Sequence, residues 1–240
     1  MLAVDKPMGW TSADVVRRLK SLLEGHYRRL NNGKRRKIKV GHGGTLDPLA
    51  TGVLVIGIGT GCKALGSFLK GAKEYRTIGL LGVETDTLDS DGVEVENRPW
   101  EHVDMAAIQS VLPEFTGVIE QIPPMYSALK KDGQRLYDLA YQGKTVERKA
   151  REVTVNELEL LFDGTELPEF SLRMQVSGGT YVRTLVSDIA RRCNSRAHVV
   201  ELERTQQGPF FVGDAIPEEK WVDLDELCRH LVEADARGLQ

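Results

Sequence analysis

From Thr11 to Glu24 the apolar side chains Val15, Val16, Leu19, Leu22 and Leu23 fall at the three-and-four spacing of an amphipathic helix, behind Thr11 or Ser12 as a candidate cap. VLVIGIG (53–59) is a short, β-branched apolar run, the pattern of a buried strand, and YRTIGLLG (75–82) predicts another. DTLDSDG (86–92) is dense in turn residues and fits no calcium-loop spacing, so it predicts a loop. Met105, Ile108, Val111, Leu112 and Phe115 trace a helix ending near Gly117. FSLRMQV (170–176) alternates strictly, with Phe170, Leu172, Met174 and Val176 on one face of a half-buried strand. After the SGGT turn, Tyr181, Val182, Leu185, Val186 and Ile189 fit a helix. Strands and helices without a regular βαβ repeat predict an α+β architecture on a mostly antiparallel sheet. One continuous domain over 1–213, followed by an acidic helical tail over 214–240, is the simplest organisation.

The 240 residues are 41% hydrophobic, enough for a substantial core. No apolar run approaches the roughly 20 residues of a membrane span, and MLAVDKPMGW lacks the form of a secretory leader, so an intracellular protein is expected. Cys62, Cys193 and Cys228 are widely separated, and His26, His42, His102, His198 and His230 form no spaced ligand set. Neither a disulfide framework nor a metal site is expected. The net charge of −3 conceals an asymmetry: residues 214–240 hold eight acids and three bases, whereas HYRRLNNGKRRKIK (26–39) holds seven Lys or Arg and no acid. A solvated, mobile loop is the ordinary reading of such a run, and a nucleic-acid contact is the alternative.

GIGTGCKAL (57–65) follows a strand and contains a lysine, but Cys62 and Ala64 stand where a phosphate-binding loop needs Gly and Ser or Thr. Its glycines are read as letting backbone pass close to another element. No G-x-S-x-G elbow is present. The unusual carboxylate is Asp47 in GHGGTLDPLATG (41–52). Asp before Pro is a common start to a helical turn, here closed by Gly52, so a cap is one reading. The preceding glycines suit close approach of a ligand, so a rigidly aimed catalytic carboxylate is the other.

GHGGTLDPLATGVLVIGIGTGCKAL resembles the signature of the TruB family of pseudouridine synthases. LAVDKPMGWTS, KEYRTIGLLGVETDTLDSDG, PPMYSALKKDGQRLYDLAYQG, GGTYVRTLVSDIA and AHVVELERTQQGPF resemble further family blocks, in family order across about residues 2–212. The resemblance implies the pseudouridine synthase fold, a central mixed sheet flanked by helices and loops. It implies that Asp47 is the covalent catalyst, that Tyr75 stacks on the target base and assists proton removal, and that Arg183 pairs with the catalytic aspartate. It makes Leu202 an apolar neighbour of the base and His42 the residue entering the RNA stack, with Lys63, Lys130, Tyr126, Lys20, Lys6, Arg35 and Arg36 as further RNA contacts.

The chemistry implied is cleavage of the C1′–N1 glycosidic bond of a uridine, rotation of the base and rejoining through C5. It calls for a carboxylate, a proton acceptor and a dry pocket, with no metal and no cofactor. The implied substrate is the uridine at position 55 in the T-loop of tRNA, extruded from its stack, with T-loop-like hairpins in messenger RNA presenting the same shape. A PUA domain is not expected after residue 213, and the basic insertion 26–39 resembles the eukaryotic branch of the family. A monomer is expected, in nucleus or mitochondrion if eukaryotic and otherwise in cytoplasm. The alternatives are a guide-RNA-dependent synthase of the dyskerin type and a non-catalytic tRNA-binding or tRNA-folding protein on the same scaffold.

Overall fold

A computed structural model describes residues 1–236 of the chain; residues 237–240 of the expected tail lie outside them. The elements run β1 (Leu2–Lys6), α1 (Ser12–Leu30), β2 (Val40–His42), β3 (Thr51–Ile58), α2 (Leu65–Lys70), β4 (Lys73–Leu81), β5 (Val83–Thr85), β6 (Glu94–Asn97), α3 (Met105–Val111) and β7 (Gly117–Gln121). They continue with β8 (Lys130–Lys131), β9 (Gln134–Arg135), α4 (Leu136–Tyr141), β10 (Arg151–Leu161), β11 (Glu169–Val176), α5 (Val182–Arg192), β12 (Ala197–Gln207), β13 (Phe210–Phe211) and α6 (Leu224–Ala236). The main sheet has the order β1-β3-β12-β4-β11-β10-β7, with β2 on β3 and β13 on β12. Strand β3 runs parallel to β12, whereas β1–β3, β2–β3, β7–β10, β10–β11 and β12–β13 are antiparallel. The α+β class with a mixed, mostly antiparallel sheet is therefore as expected.

The chain divides into two compact units, one formed by Met1–Tyr75 with the segment from Glu203 onward, the other by Arg76–Leu202. In the first unit β1 pairs with β3 from Leu2↔Ile56 to Lys6↔Gly52. Met1, Ala3, Val53, Val55, Leu65, Phe68 and Phe210 form a core there, as expected of the apolar 53–59 run. Thr11 caps α1 in a reciprocal box with Asp14, and Val15 and Leu19 are buried beneath the helix. The helix does not stop at Glu24. It continues through Gly25 to Leu30, closed by the Asn31 N–H on the Tyr27 carbonyl. A helical Gly costs about 1 kcal/mol, and Arg28 and Arg29 in the last turn complement the helix dipole in partial compensation. Residues 26–30 of the basic run are thus helical and not loop; residues 33–37 are exposed.

After β3, Gly59–Lys63 forms a short 3-10 turn and leads into α2, so no phosphate loop is built. A Cβ at Gly57 would lie 3.0 Å from the Cys62 backbone, which is the close backbone passage expected of these glycines. The acidic segment joins this unit: Ile216 exchanges backbone hydrogen bonds with Ala3 and Asp5, and Trp221 and Leu227 are buried.

In the second unit α5 buries side chains on nearly all sides, including Arg183, Thr184 and Ser187 as well as its apolar residues. A Cβ on Gly79 of β4 would lie 2.6 Å from Phe170 and 2.8 Å from Val186, so this position requires glycine. Phe170, Leu172, Met174 and Val176 of β11 are all buried, in keeping with their alternation. The helix read over 105–115 is α helix to Val111 and a 3-10 turn over Leu112–Phe115, because Pro113 lacks the N–H that would continue it. β5 and β6 form a hairpin around the 86–92 turn.

Candidate active site

In the first unit the loop from Gly43 to Ala50 is fixed residue by residue. Gly43 N–H donates to the Val55 carbonyl at 2.8 Å. The buried Ser12 hydroxyl accepts from Leu46 N–H at 2.8 Å and donates to Leu46 O at 3.1 Å. Pro48 O accepts from Gly9 N–H at 2.9 Å and from Lys6 Nζ at 3.2 Å. Asp47 therefore stands between two residues whose backbones are pinned, and is itself half-buried. No helix follows it. Ala50 N–H closes a single turn onto Asp47 O at 3.1 Å, and the chain enters β3 at Thr51. The helix-cap expectation is corrected to a β-turn with Asp first and Pro second, a placement that turns also favour. The glycines are explained by the protein itself: a Cβ on Gly43 would lie 2.8 Å from Phe68 Cβ, and one on Gly52, at φ +94°, 2.3 Å from Arg204 O.

Lys6 is fully buried, its ammonium shared among the carbonyls of Pro7, Trp10 and Pro48. It is committed inside the unit and does not offer the RNA contact expected of it. Burial lowers its pKa to about 8, with the Asp47 carboxylate raising it and Arg204 lowering it. His42 lies in β2, half-buried; burial lowers its pKa and favours the neutral ring, with a backbone hydrogen bond at Gly44 acting the other way. Tyr75 is buried in β4. Lys63, Arg35 and Arg36 are exposed; Arg36 lies 5.7 Å over the Tyr27 ring, and Lys20 sits on α1 near Glu24.

In the second unit Arg183 occupies the first turn of α5 and is buried, not the ordinary surface cation its position allowed. It donates to the carbonyls of Thr87 and Tyr126 and forms a 3.3 Å ion pair with the buried Asp89. Tyr126 OH donates to Asp86 Oδ2 at 2.9 Å, an interaction that raises the phenol pKa. Arg183 and Tyr126 are thus brought together by the 86–92 turn. Leu202 is buried in β12, and Lys130 is exposed in β8. Asp89, Ser12, Arg204 and Gln207 are structural contributors that the sequence gives little means to find, since each meets its partner across a long stretch of chain. Among the described residues no group of His, Cys, Asp or Glu could hold a metal ion.

Residues 28–182 match the N-terminal domain of the TruB family pseudouridylate synthases. Pseudouridylate synthase TRUB1 of Mus musculus is 51% identical over 237 residues, covering 96% of this chain and 69% of that protein. tRNA pseudouridine synthase B of Geobacter sulfurreducens is 42% identical over 225 residues, covering 94% of this chain and 69% of that protein. A chain from the crystal structure of a Cbf5-Nop10-Gar1 complex is similar in fold, with a TM-score of 0.67 and 30% identity, over 92% of this chain and 53% of that one. The chain accordingly spans about half the length of that solved chain. With a family match over residues 28–182 and a relative 51% identical, 69% of which is covered, the chain belongs to the TruB family of pseudouridylate synthases.

Proposed function

We propose that the chain isomerises the T-loop uridine of tRNA, at position 55, to pseudouridine, with Asp47 as the covalent catalyst. The observation carrying this reading is the mounting of Asp47: both of its neighbours are pinned by backbone hydrogen bonds while the carboxylate position stays partly open to solvent. Such fixation supplies the orientation a nucleophile needs before the substrate arrives. The C1′–N1 bond breaks, the C5 proton leaves, C5 bonds to C1′ and N1 takes up a proton, so neither redox partner nor group donor enters. Tyr75 supplies the stacking face and assists removal of the C5 proton, Leu202 adds apolar contact with the base, and His42 enters the RNA stack. Arg183 takes the role of the cation that serves the catalytic carboxylate; its ion pair with Asp89 holds the guanidinium in a fixed orientation. Exposed Lys63, Lys130, Arg35 and Arg36, with Lys20, add backbone contacts, and Tyr126 reaches RNA from the segment between β7 and β8, its hydroxyl held by Asp86. The chain works as a monomer on tRNA and on T-loop-like messenger RNA hairpins, within a compartment that holds these RNAs.

The test is release of tritium from tRNA labelled at uridine C5. Asp47→Asn is expected to fold and bind tRNA, because the loop is held through backbone atoms of its neighbours, yet to lose at least about a hundredfold in rate. Turnover within a few-fold of wild type would end the assignment of Asp47.

A further inference from the structure

The loop carrying Asp47 rests on polar groups that a core serving stability alone would not need. Strand β12 sends Arg204 and Gln207, both fully buried, beneath it. Arg204 Nε donates to Val53 O at 2.7 Å and Nη2 to Gly44 O at 3.3 Å. Gln207 Nε2 donates to Gly43 O at 2.7 Å and to Phe68 O at 3.2 Å. The carbonyls gripped lie on both sides of Asp47, at Gly43 and Gly44 before it and at Val53 after it. The ladder adds a second hold, since Arg204 pairs with Gly52 in parallel register and leaves no room there for a side chain.

A purely structural explanation has to meet a cost. An isolated buried guanidinium loses its hydration, and an apolar side chain of similar size would pack the same space without that loss. Among the described residues Arg204 has no carboxylate ion pair, and its Nη1 has no hydrogen-bond partner. Its charge is felt by its neighbours, for it is among the causes that lower Lys6 and Lys73, each to about 8. Positive potential is thus concentrated under a loop whose one acid is Asp47.

We infer that Arg204 and Gln207 are positioning residues for Asp47, fixing both ends of its loop through backbone carbonyls while Arg204 places a cation beneath it. This rests on the reading of Asp47 as the catalyst. The planar fork of Arg204 reaches Val53 and Gly44 through two different nitrogens, Nε and Nη2, a span that the single nitrogen of a lysine matches only in part.

The experiment measures single-turnover pseudouridine formation, tRNA Kd and thermal midpoint for Arg204→Lys, Arg204→Met, Gln207→Met and Asp47→Asn in the full chain. Displacement of a reacting group by about an ångström can cost on the order of a hundredfold in rate. Arg204→Met is expected to lose about that much and Gln207→Met about tenfold, each with Kd within about twofold of wild type. Arg204→Lys is expected to recover part of the rate. Gln207→Met, nearly isosteric, decides the matter alone if the Arg204 variants do not fold. Folded variants with wild-type rate, or a rate loss matched by equal loss of tRNA binding, overturn the inference. If Asp47→Asn is dead while these variants are as fast as wild type, only the positioning role fails. If Asp47→Asn is active, the parent reading fails.

Discussion

Ser12, Lys6 and Gly9 hold the residues either side of Asp47, and its own carbonyl closes the turn by accepting from Ala50 N–H. Its setting among glycines is legible in sequence, but the Asp-Pro pair has two equally good local uses, first turn of a helix and opening of a β-turn. The ladder between β1 and β3, which takes up the chain at Thr51, selects the turn. Arg183 is legible as a residue and its environment is not, because Asp89 sits in a run that reads only as turn. Asp89→Asn removes a buried anion 3.3 Å from the Arg183 guanidinium and is expected to cost about 2–3 kcal/mol in urea unfolding. A change below about 0.5 kcal/mol would show the pair to be dispensable for stability. Lys73 gives a pH test, since its buried ammonium donates to Phe68, Leu69 and Gly71 carbonyls with a pKa lowered by burial to about 8. The unfolded chain then binds more protons between about pH 8 and 10.5, so stability rises with pH in that window. The stability difference between wild type and Lys73→Met should shift toward wild type from pH 8 to 10 and stay flat below, as read by chemical denaturation. A constant difference across the whole range would contradict it.

At the scale of elements, the strongly periodic segments, α1, β3, β11 and α5, are legible because one apolar face dominates each. β12 is not, for it places His198, Arg204 and Gln207 in buried positions where a strand pattern looks for apolar side chains. The end of α1 is hidden for a related reason. Its apolar face runs out near Leu23, while the backbone goes on to Leu30 as an exposed, basic continuation. The basic tract is thereby presented from a helix end and the residues after it, with Ile38 N–H tied to Glu24 at 2.9 Å. Neutralising Arg28, Arg29, Lys34, Arg35, Arg36 and Lys37 is expected to weaken tRNA binding and flatten its salt dependence, by up to about 0.9 in log–log slope for each phosphate left without its cation. Unchanged affinity and slope would remove the tract from the RNA interface.

At the scale of the molecule, the α+β class follows from the absence of a βαβ rhythm, whereas the parallel pairing of β3 with β12 joins residues far apart in sequence and has no local signature. One solved chain of similar fold comes from a Cbf5-Nop10-Gar1 complex, and the dependence of this chain on other components is directly measurable. Purified chain is expected to modify a bare tRNA transcript without added RNA or protein; dependence on a guide would move it to the other mode of the fold. Helix α1 links two scales in one rod. At its first residue, Ser12 clasps Leu46 next to Asp47, and its 19 residues extend about 28 Å to the basic end. It can serve as a fixed ruler: an RNA with its target base over Asp47 offers the tract only those phosphates lying within that reach. With the tract in the RNA interface and Asp47 as the catalyst, adding one helical turn after Gly25 is expected to lengthen the ruler by about 5 Å and to shift the phosphates within its reach, leaving the residues around Asp47 unchanged.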